Sequence, residues 1–432
     1  MSDRIRVIQN AGWIISCKLI KAIITIIVTA LTARYLGPSQ YGLLSYAESI
    51  VAFAIPITKL GFDSIMVHEI VSRPEEAGET ICSAVFFSFL SALLCMLGIY
   101  FFAILVNNGE TTTIIVCVLY SILLIFQGIE LIQYWFQAML LSRYNSLVIL
   151  ISYAIVGTVQ LALIHLKAKI YVFAFLCSVE YLFVSVALLF LFQKKSNQKL
   201  KFSLSCGLRM INVSKYYILS ALLGAIYNNT DRVMLKIFLG ERDTGIYSAA
   251  HTCAGMTSFV FIAIIDSMRP IIFESSKKSE EEFEKRIEIL YAIIIFSSLI
   301  QNLLISGFAP TIIRVLYGEA FSDSILVLRI AVWFTTFSYI GTVRNIWILS
   351  EEKQKYLWRI IGSGAILNVL LNYVFIPIWG PCGAALTTLL SQIFSNIITG
   401  YIISDLKKNN TIILRSLNPI NIFECIKNMK GN

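Results

Sequence analysis

The stretch that decides the fold is GWIISCKLIKAIITIIVTALTAR, residues 12–34. As a helix it is long enough to cross a bilayer, for which about 20 apolar residues suffice. Yet it holds Lys18 and Lys21. At about 100° per residue, Lys18, Lys21, Thr25, Thr29 and Thr32 fall within about 80° of one another, and Ile20, Ile23, Ile24, Ile27 and Leu31 mostly fill the remainder. A lysine at the centre of an apolar helix costs about 2.5–3.5 kcal/mol to insert, so such residues normally face a bundle interior or a watery cavity. This reading predicts a polytopic membrane protein whose first helix lines a basic cavity.

The rest of the chain has the same character. Its 432 residues are 57% hydrophobic and only 14% charged, with a mean hydropathy of +0.76, where a soluble domain carries about 25% charged residues. The first run is too long for the apolar core of a signal peptide and has lysines inside it, so it is expected to be retained. Nine cysteines are scattered without a C-x-x-C pair, and His68, His165 and His251 are isolated. No metal site, disulfide framework or cofactor is expected.

Runs of about 20 apolar residues predict spans near 12–34, 43–67, 81–106, 113–139, 146–166, 170–192, 215–239, 244–270, 287–309, 322–348, 356–377 and 382–404. With twelve spans both termini lie on one side. Segments on that side hold 21 Lys and Arg residues against 5 on the other, so the termini are expected to be cytoplasmic. The net charge of +9 then needs no nucleic acid partner.

The predicted organisation is a six-helix lobe over 1–193, a basic linker over 194–214, a second six-helix lobe over 215–404, and a basic amphipathic tail over 405–432 that lies on the anionic leaflet. An internal repeat supports the division. LGPSQYGLLSYA (36–47) and LGERDTGIYSAA (239–250) share Leu, Gly, Gly, Ser and Ala at an offset of 203 residues, and Asp63 and Asp266 keep the same offset. A duplicated six-helix unit suits a transporter with a midplane site.

Charges inside the predicted spans give the candidate site. Helix 2 aligns Ser45, Glu48, Lys59 and Asp63, with Lys59 and Asp63 one turn apart; helix 7 groups Asn228, Asp231 and Arg232; helix 8 aligns His251, Asp266 and Arg269. Gln127, Glu130, Tyr134 and Gln137 share a face of helix 4, and Arg329 and Arg344 lie in helix 10. Lys59 with Asp63, and Asp266 with Arg269, can equally neutralise one another as structural pairs. Lys236 and Arg344 are expected to snorkel to an interface, and His251 to be a core histidine. A surplus of cations favours an anionic ligand carrying phosphate or carboxylate. Lys18, Lys21, Lys59, Arg232, Arg269 and Arg329 are the anion candidates. Thr25, Asp63, Gln127, Glu130, Tyr134, Asp231 and Asp266 are candidates for sugar contact or ion coupling. No G-x-x-x-x-G-K-[ST] is present, so ATP is not the expected direct energy source.

Three stretches carry a resemblance: NAGWIISCKLIKAI with ARYLGPSQYGLLSYAESI and LGFDSIMVHEI, then NNTDRVMLKIFLGERDTGIYSAA, then ILNVLLNYVFIPIWGPCGAAL. Together they resemble Wzx-type flippases of O-antigen and polysaccharide repeat units. The resemblance implies an all-α integral membrane fold in the superfamily of MATE exporters and lipid II flippases, with two six-helix lobes and alternating access. It implies an undecaprenyl-pyrophosphate-linked oligosaccharide as substrate, moved to the periplasmic leaflet of a bacterial inner membrane, with a polysaccharide polymerase and a chain-length regulator as candidate partners. Related lipid II flippases use basic residues on helices 1, 2 and 8, similar in placement to Lys18, Lys21, Lys59 and Arg269. Two other readings are weighed. A MATE-like cation antiporter would need acids as its unpaired charge, and a membrane polymerase or lipid-dependent glycosyltransferase would need a longer outside loop than 107–112 or 377–381.

Overall fold

The computed structural model describes residues 3–196 and 198–418, with side chains from Ser16 onward. The described chain is about 90% helical and has no strand. Nine stretches among the described residues are long and apolar enough to cross a membrane. The fold is thus the all-α integral membrane class expected from composition.

The chain divides into two compact units, Met1–Gly245 and Ile246–Asn432. The first holds α1 (Asp3–Lys59), α2 (Phe62–Ser72), α3 (Ala77–Val106), α4 (Thr111–Ser121), α5 (Leu123–Glu130), α6 (Gln133–Ala138), α7 (Ser142–His165), α8 (Ile170–Lys195) and α9 (Leu204–Leu239). The expected linker therefore lies inside the first unit and is largely helix. The Ser203 hydroxyl caps α9 by accepting from Cys206 N at 3.3 Å, and Cys206 and Met210, one turn apart, are buried against Phe136 and Phe192. The polar tone of 194–214 hid that apolar stripe.

Helix α1 contains two predicted spans. They meet at Gly37, whose φ of 73° is a left-handed value that a side chain disfavours, followed by Pro38. The matching residue of the repeat, Gly240, has φ 99° and a ψ of −171° beside 171° at Gly37. A Cβ at Gly42 would sit 1.8 Å from Glu241 O, and one at Gly245 would sit 1.9 Å from Pro38 O. The contact is reciprocal at the 203-residue offset, so the two repeated turns pack on each other through positions that tolerate no side chain.

The second unit contains α11 (Ser258–Ser276), α12 (Glu280–Leu316), α13 (Ser324–Ala331), α14 (Phe334–Ser350), α15 (Leu357–Ile393), α16 (Thr399–Ile402) and α17 (Lys407–Ser416); α10 (Glu241–Gly255) opens it. Two predicted spans share α15 and meet at Gly380, φ 56°, between Pro377 and Pro381. Its core gathers Ile265, Phe283, Leu290, Tyr291, Val343 and Trp347. Of the expected surface tail, α17 is packed into this unit, with Asn409, Ile412 and Ile413 buried and Tyr291 donating to Asn409 Oδ1 at 2.9 Å. Residues 419–432 lie outside the described part. Large apolar side chains such as Leu105, Leu166 and Leu303 stand exposed, as lipid-facing positions require.

Candidate functional site

The polar stripe on α1 divides along its length. Toward its C-terminal end it packs on α7: Thr32 is buried and accepts from Gln160 Nε2 at 2.9 Å. In the middle, Thr25 donates its hydroxyl proton to Lys21 O at 2.8 Å, one turn back. The end carrying Lys18 and Lys21 opens onto space. There a cavity of about 370 Å³ is lined by Cys17, Lys18, Lys21, Gln133, Gln137 and Asn145, with serines 142 and 146. Gln133 and Gln137 come from α6, and Asn145 from the first turn of α7. Asn145 Nδ2 donates to Gln133 Oε1 at 3.3 Å, which fixes one amide against the other.

The two lysines differ. Lys21 pairs with Glu180 of α8 at 3.3 Å and lies 4.7 Å above the Tyr153 ring, a cation–π contact that adds to the pair. Lys18 is exposed and has no carboxylate within 4 Å among the described residues. The surplus positive charge at this cavity is therefore Lys18.

The other candidates of the first unit are paired between helices. Lys59 lies 3.9 Å from Glu130 of α5, not beside Asp63. The expected one-turn spacing fails because α1 ends at Lys59 and the chain turns through left-handed Leu60 and Gly61 before α2 begins. Ser214 holds that break by donating to Leu60 O at 2.6 Å. Arg232 sits 4.0 Å from Glu48, and Asp231 beside it is buried. Gln127 is also buried, one turn before Glu130. Tyr134, half-buried on α6, packs in the cluster of Phe62 and Met66.

In the second unit, Arg269 and Asp266 pair with each other at 2.9 Å on an exposed turn of α11. Arg329 is exposed and donates from Nε to Ser306 O at 3.3 Å. The two snorkelling expectations fail. Lys236 is only 10% exposed and lies between Glu110 at 2.9 Å and Glu241 at 3.2 Å. Arg344 is buried and donates to Ser395 O at 2.6 Å, because the neighbouring π-helical turn Phe394–Ile398 frees backbone carbonyls.

Sequence reasoning missed Glu180, Gln133, Tyr153 and Asn145. Glu180 had a legible signal: it is the only acid in the apolar run 170–192, and an acid at that depth calls for a cation as much as a lysine calls for an acid. Gln133 and Asn145 gave none, since they converge only once α6 turns back into α7. The site can take an anion at Lys18, extend it toward Lys21 by displacing Glu180, and offer amide groups to hydroxyls alongside.

Comparison with known proteins agrees with this architecture. Residues 7–276 match the family model described as polysaccharide biosynthesis protein. The probable low-salt glycan biosynthesis flippase Agl15 of Haloferax volcanii is 23% identical over 198 residues, 45% of this chain and 42% of that protein. The chain thus matches less than half the length of that relative. Among solved structures, lipid II flippase MurJ in an inward closed conformation superposes with a TM-score of 0.73 at 15% identity, covering 94% of this chain and 90% of that one. An inward-facing multidrug resistance MATE family transporter of the MOP superfamily gives 0.68 at 15% identity, covering 89% and 96%. These likenesses fix the fold.

Proposed function

Because the chain belongs to the polysaccharide biosynthesis protein family, we propose that it is a flippase for a lipid-linked glycan, and that its substrate is an O-antigen or similar surface-polysaccharide repeat unit on undecaprenyl pyrophosphate. The name of the Haloferax relative and the lipid II flippase fold support transport without covalent chemistry. In this proposal the protein lies in a bacterial inner membrane with its termini cytoplasmic. It crosses twelve times as two six-helix lobes and moves the glycan to the periplasmic leaflet by alternating access. A polymerase and a chain-length regulator would take the product.

The observation that carries the reading is the cavity on α1, where an unpartnered ammonium at Lys18 stands beside a paired one at Lys21 and three amide side chains. Pyrophosphate supplies the counter-charge that Lys18 lacks, and sugar hydroxyls match the amides of Gln133, Gln137 and Asn145. Lys59, Arg232 and Arg269 would exchange Glu130, Glu48 and Asp266 for the passing anion, so that no cation is left bare, and Arg329 would add a contact. Asp63, Asp231, Asp266 and Glu130 are the proposed ion-coupling groups. An anion leaving a cell that is negative inside gains about 2.3 kcal/mol per charge per 100 mV. A positive surplus disfavours the cation-exporter reading.

The test is Lys18→Ala with Lys21→Ala in proteoliposomes loaded with undecaprenyl-pyrophosphate-linked oligosaccharide. Translocation per folded molecule should fall at least about tenfold, the effect of losing one charge-assisted contact of about 1.5–3 kcal/mol, while the protein still inserts. Unchanged translocation would remove α1 from the pathway.

A further inference from the structure

The second unit carries another cavity, of about 600 Å³, at the end where the Gln354–Ile402 span begins and finishes. Arg359, Ser363 and Tyr356 line one wall, and Phe394, Thr399 and Ile402 the other. The wall from Phe394 is the π-helical turn, a local widening often found where something binds.

Arg359 belongs to the lining, and Lys355, four residues earlier in the chain and exposed, stands outside it. The Arg359 guanidinium lies 5.8 Å from the Tyr356 ring and 5.5 Å from the Trp358 ring, and Lys355 Nζ lies 5.0 Å from the same Tyr356 ring. Among the described residues neither has a carboxylate within 4 Å. Of the nearby acids, the Asp405 carboxylate accepts from the Tyr356 hydroxyl of the cavity wall, and Glu351 pairs with Lys353 at 3.5 Å. The hydroxyls are directional too. Ser363 donates to Ile360 O at 3.1 Å and Thr399 to Ser395 O at 2.6 Å, so each presents only its oxygen lone pairs to the cavity. Below the rim, Ile398, Tyr401 and Ile402 are exposed apolar surface.

We propose that this cavity is a headgroup site for an anionic phospholipid, with Arg359 and Lys355 on the phosphodiester, Ser363 and Thr399 accepting from headgroup hydroxyls, and an acyl chain along Ile398 and Ile402. Two cations over aromatic rings at a span end, without a carboxylate within 4 Å among the described residues, match a lipid phosphate at the membrane surface. The planar fork of arginine suits a phosphodiester's paired oxygens. Acceptor-only hydroxyls match a polyol headgroup such as glycerol. The assignment is independent of the transport reading, since it uses none of the groups around Lys18.

The experiment is native mass spectrometry of the purified full chain with phosphatidylglycerol or phosphatidylcholine of identical acyl chains, and with inorganic phosphate as competitor. Wild type should retain phosphatidylglycerol over phosphatidylcholine. Arg359→Gln with Lys355→Gln should lower that retention about tenfold, on the scale of one charged contact, and Lys277→Gln with Lys278→Gln should leave it unchanged. Both cations of the site are exposed, so the variant keeps its fold, which thermal unfolding checks. Undiminished retention in the double variant, equal retention of phosphatidylcholine, or displacement of the lipid by inorganic phosphate would each overturn the assignment.

Discussion

The two units solve the problem of burying polar groups in opposite ways. In the first, the polar interior is ionic, and every pair joins different helices: Lys21 with Glu180, Lys59 with Glu130, Arg232 with Glu48. In the second, it is mostly neutral, with Arg344 and Glu288 as buried charges. Asn302 lies 2.8 Å from Thr336 Oγ1, which donates to Ser298 at 2.9 Å, and Asn372 donates to Asn368 at 3.0 Å. Most carboxylate pairs of that unit, such as Lys285 with Glu281, stand on its exposed ends. Neutral interhelical hydrogen bonds in membranes contribute about 0.6–1.7 kcal/mol. A charged pair costs several kcal/mol to desolvate, so cheaper apolar residues would serve stability as well. Ion pairs joining helices at that cost gather in the first unit, which also carries the cavity at Lys18.

The largest expected effect comes from breaking one ionic pair. Glu130→Leu leaves the Lys59 ammonium half-buried without its partner and should cost about 3–5 kcal/mol, read as a large drop in the unfolding temperature of the purified protein. Adding Lys59→Leu should restore most of that stability, because the stranded charge is gone, yet leave glycan translocation low. If the double variant is stable and translocates normally, the pair is glue and the contrast between the units carries no functional meaning. A middle-sized effect is expected in the neutral unit. Asn302→Ala should cost about 1–2 kcal/mol through lost hydrogen bonds, while translocation per folded molecule stays at the wild-type level.

The helices of both units were legible in the sequence because lipid imposes a length and a polarity that apolar runs report directly, though the runs did not say that two spans would share one helix at Gly37 and at Gly380. What the sequence did not carry was which side chain meets which. Lys59 and Asp63 satisfy the helical spacing rule, but the rule holds only while the helix lasts, and α1 stops at Lys59. Glu180 lies 159 residues from Lys21, a separation across which no local pattern runs. Polar surroundings misled in a third way. At 204–214 and again at 407–416, a short apolar stripe inside a basic stretch is enough to dock a helix when a core waits for it, as Cys206 with Met210 and Ile412 with Ile413 show.

The smallest effect belongs to an exposed pair of the neutral unit, and it sharpens the contrast by its pH dependence. Lys408 of α17 is held by Glu280 and by Glu284 at 2.9 Å on the first turns of α12. Burial disfavours its ammonium, but hydrogen bonds and attraction from Glu280 and Glu284 outweigh that and raise its pKa above the ordinary lysine value. A pKa raised by folding gives stability that is complete below the unfolded value, about 10.4, and that fades as pH climbs through the folded one. Lys408→Met should therefore lower stability by about 1 kcal/mol or less, since the pair is solvent-screened, and by the same amount from pH 6 to 9. The deficit should close only above the normal lysine range and shrink in high salt. A deficit that approached that of Glu130→Leu, or that changed between pH 6 and 9, would mean that charge is as costly to disturb at the rim of the second unit as inside the first.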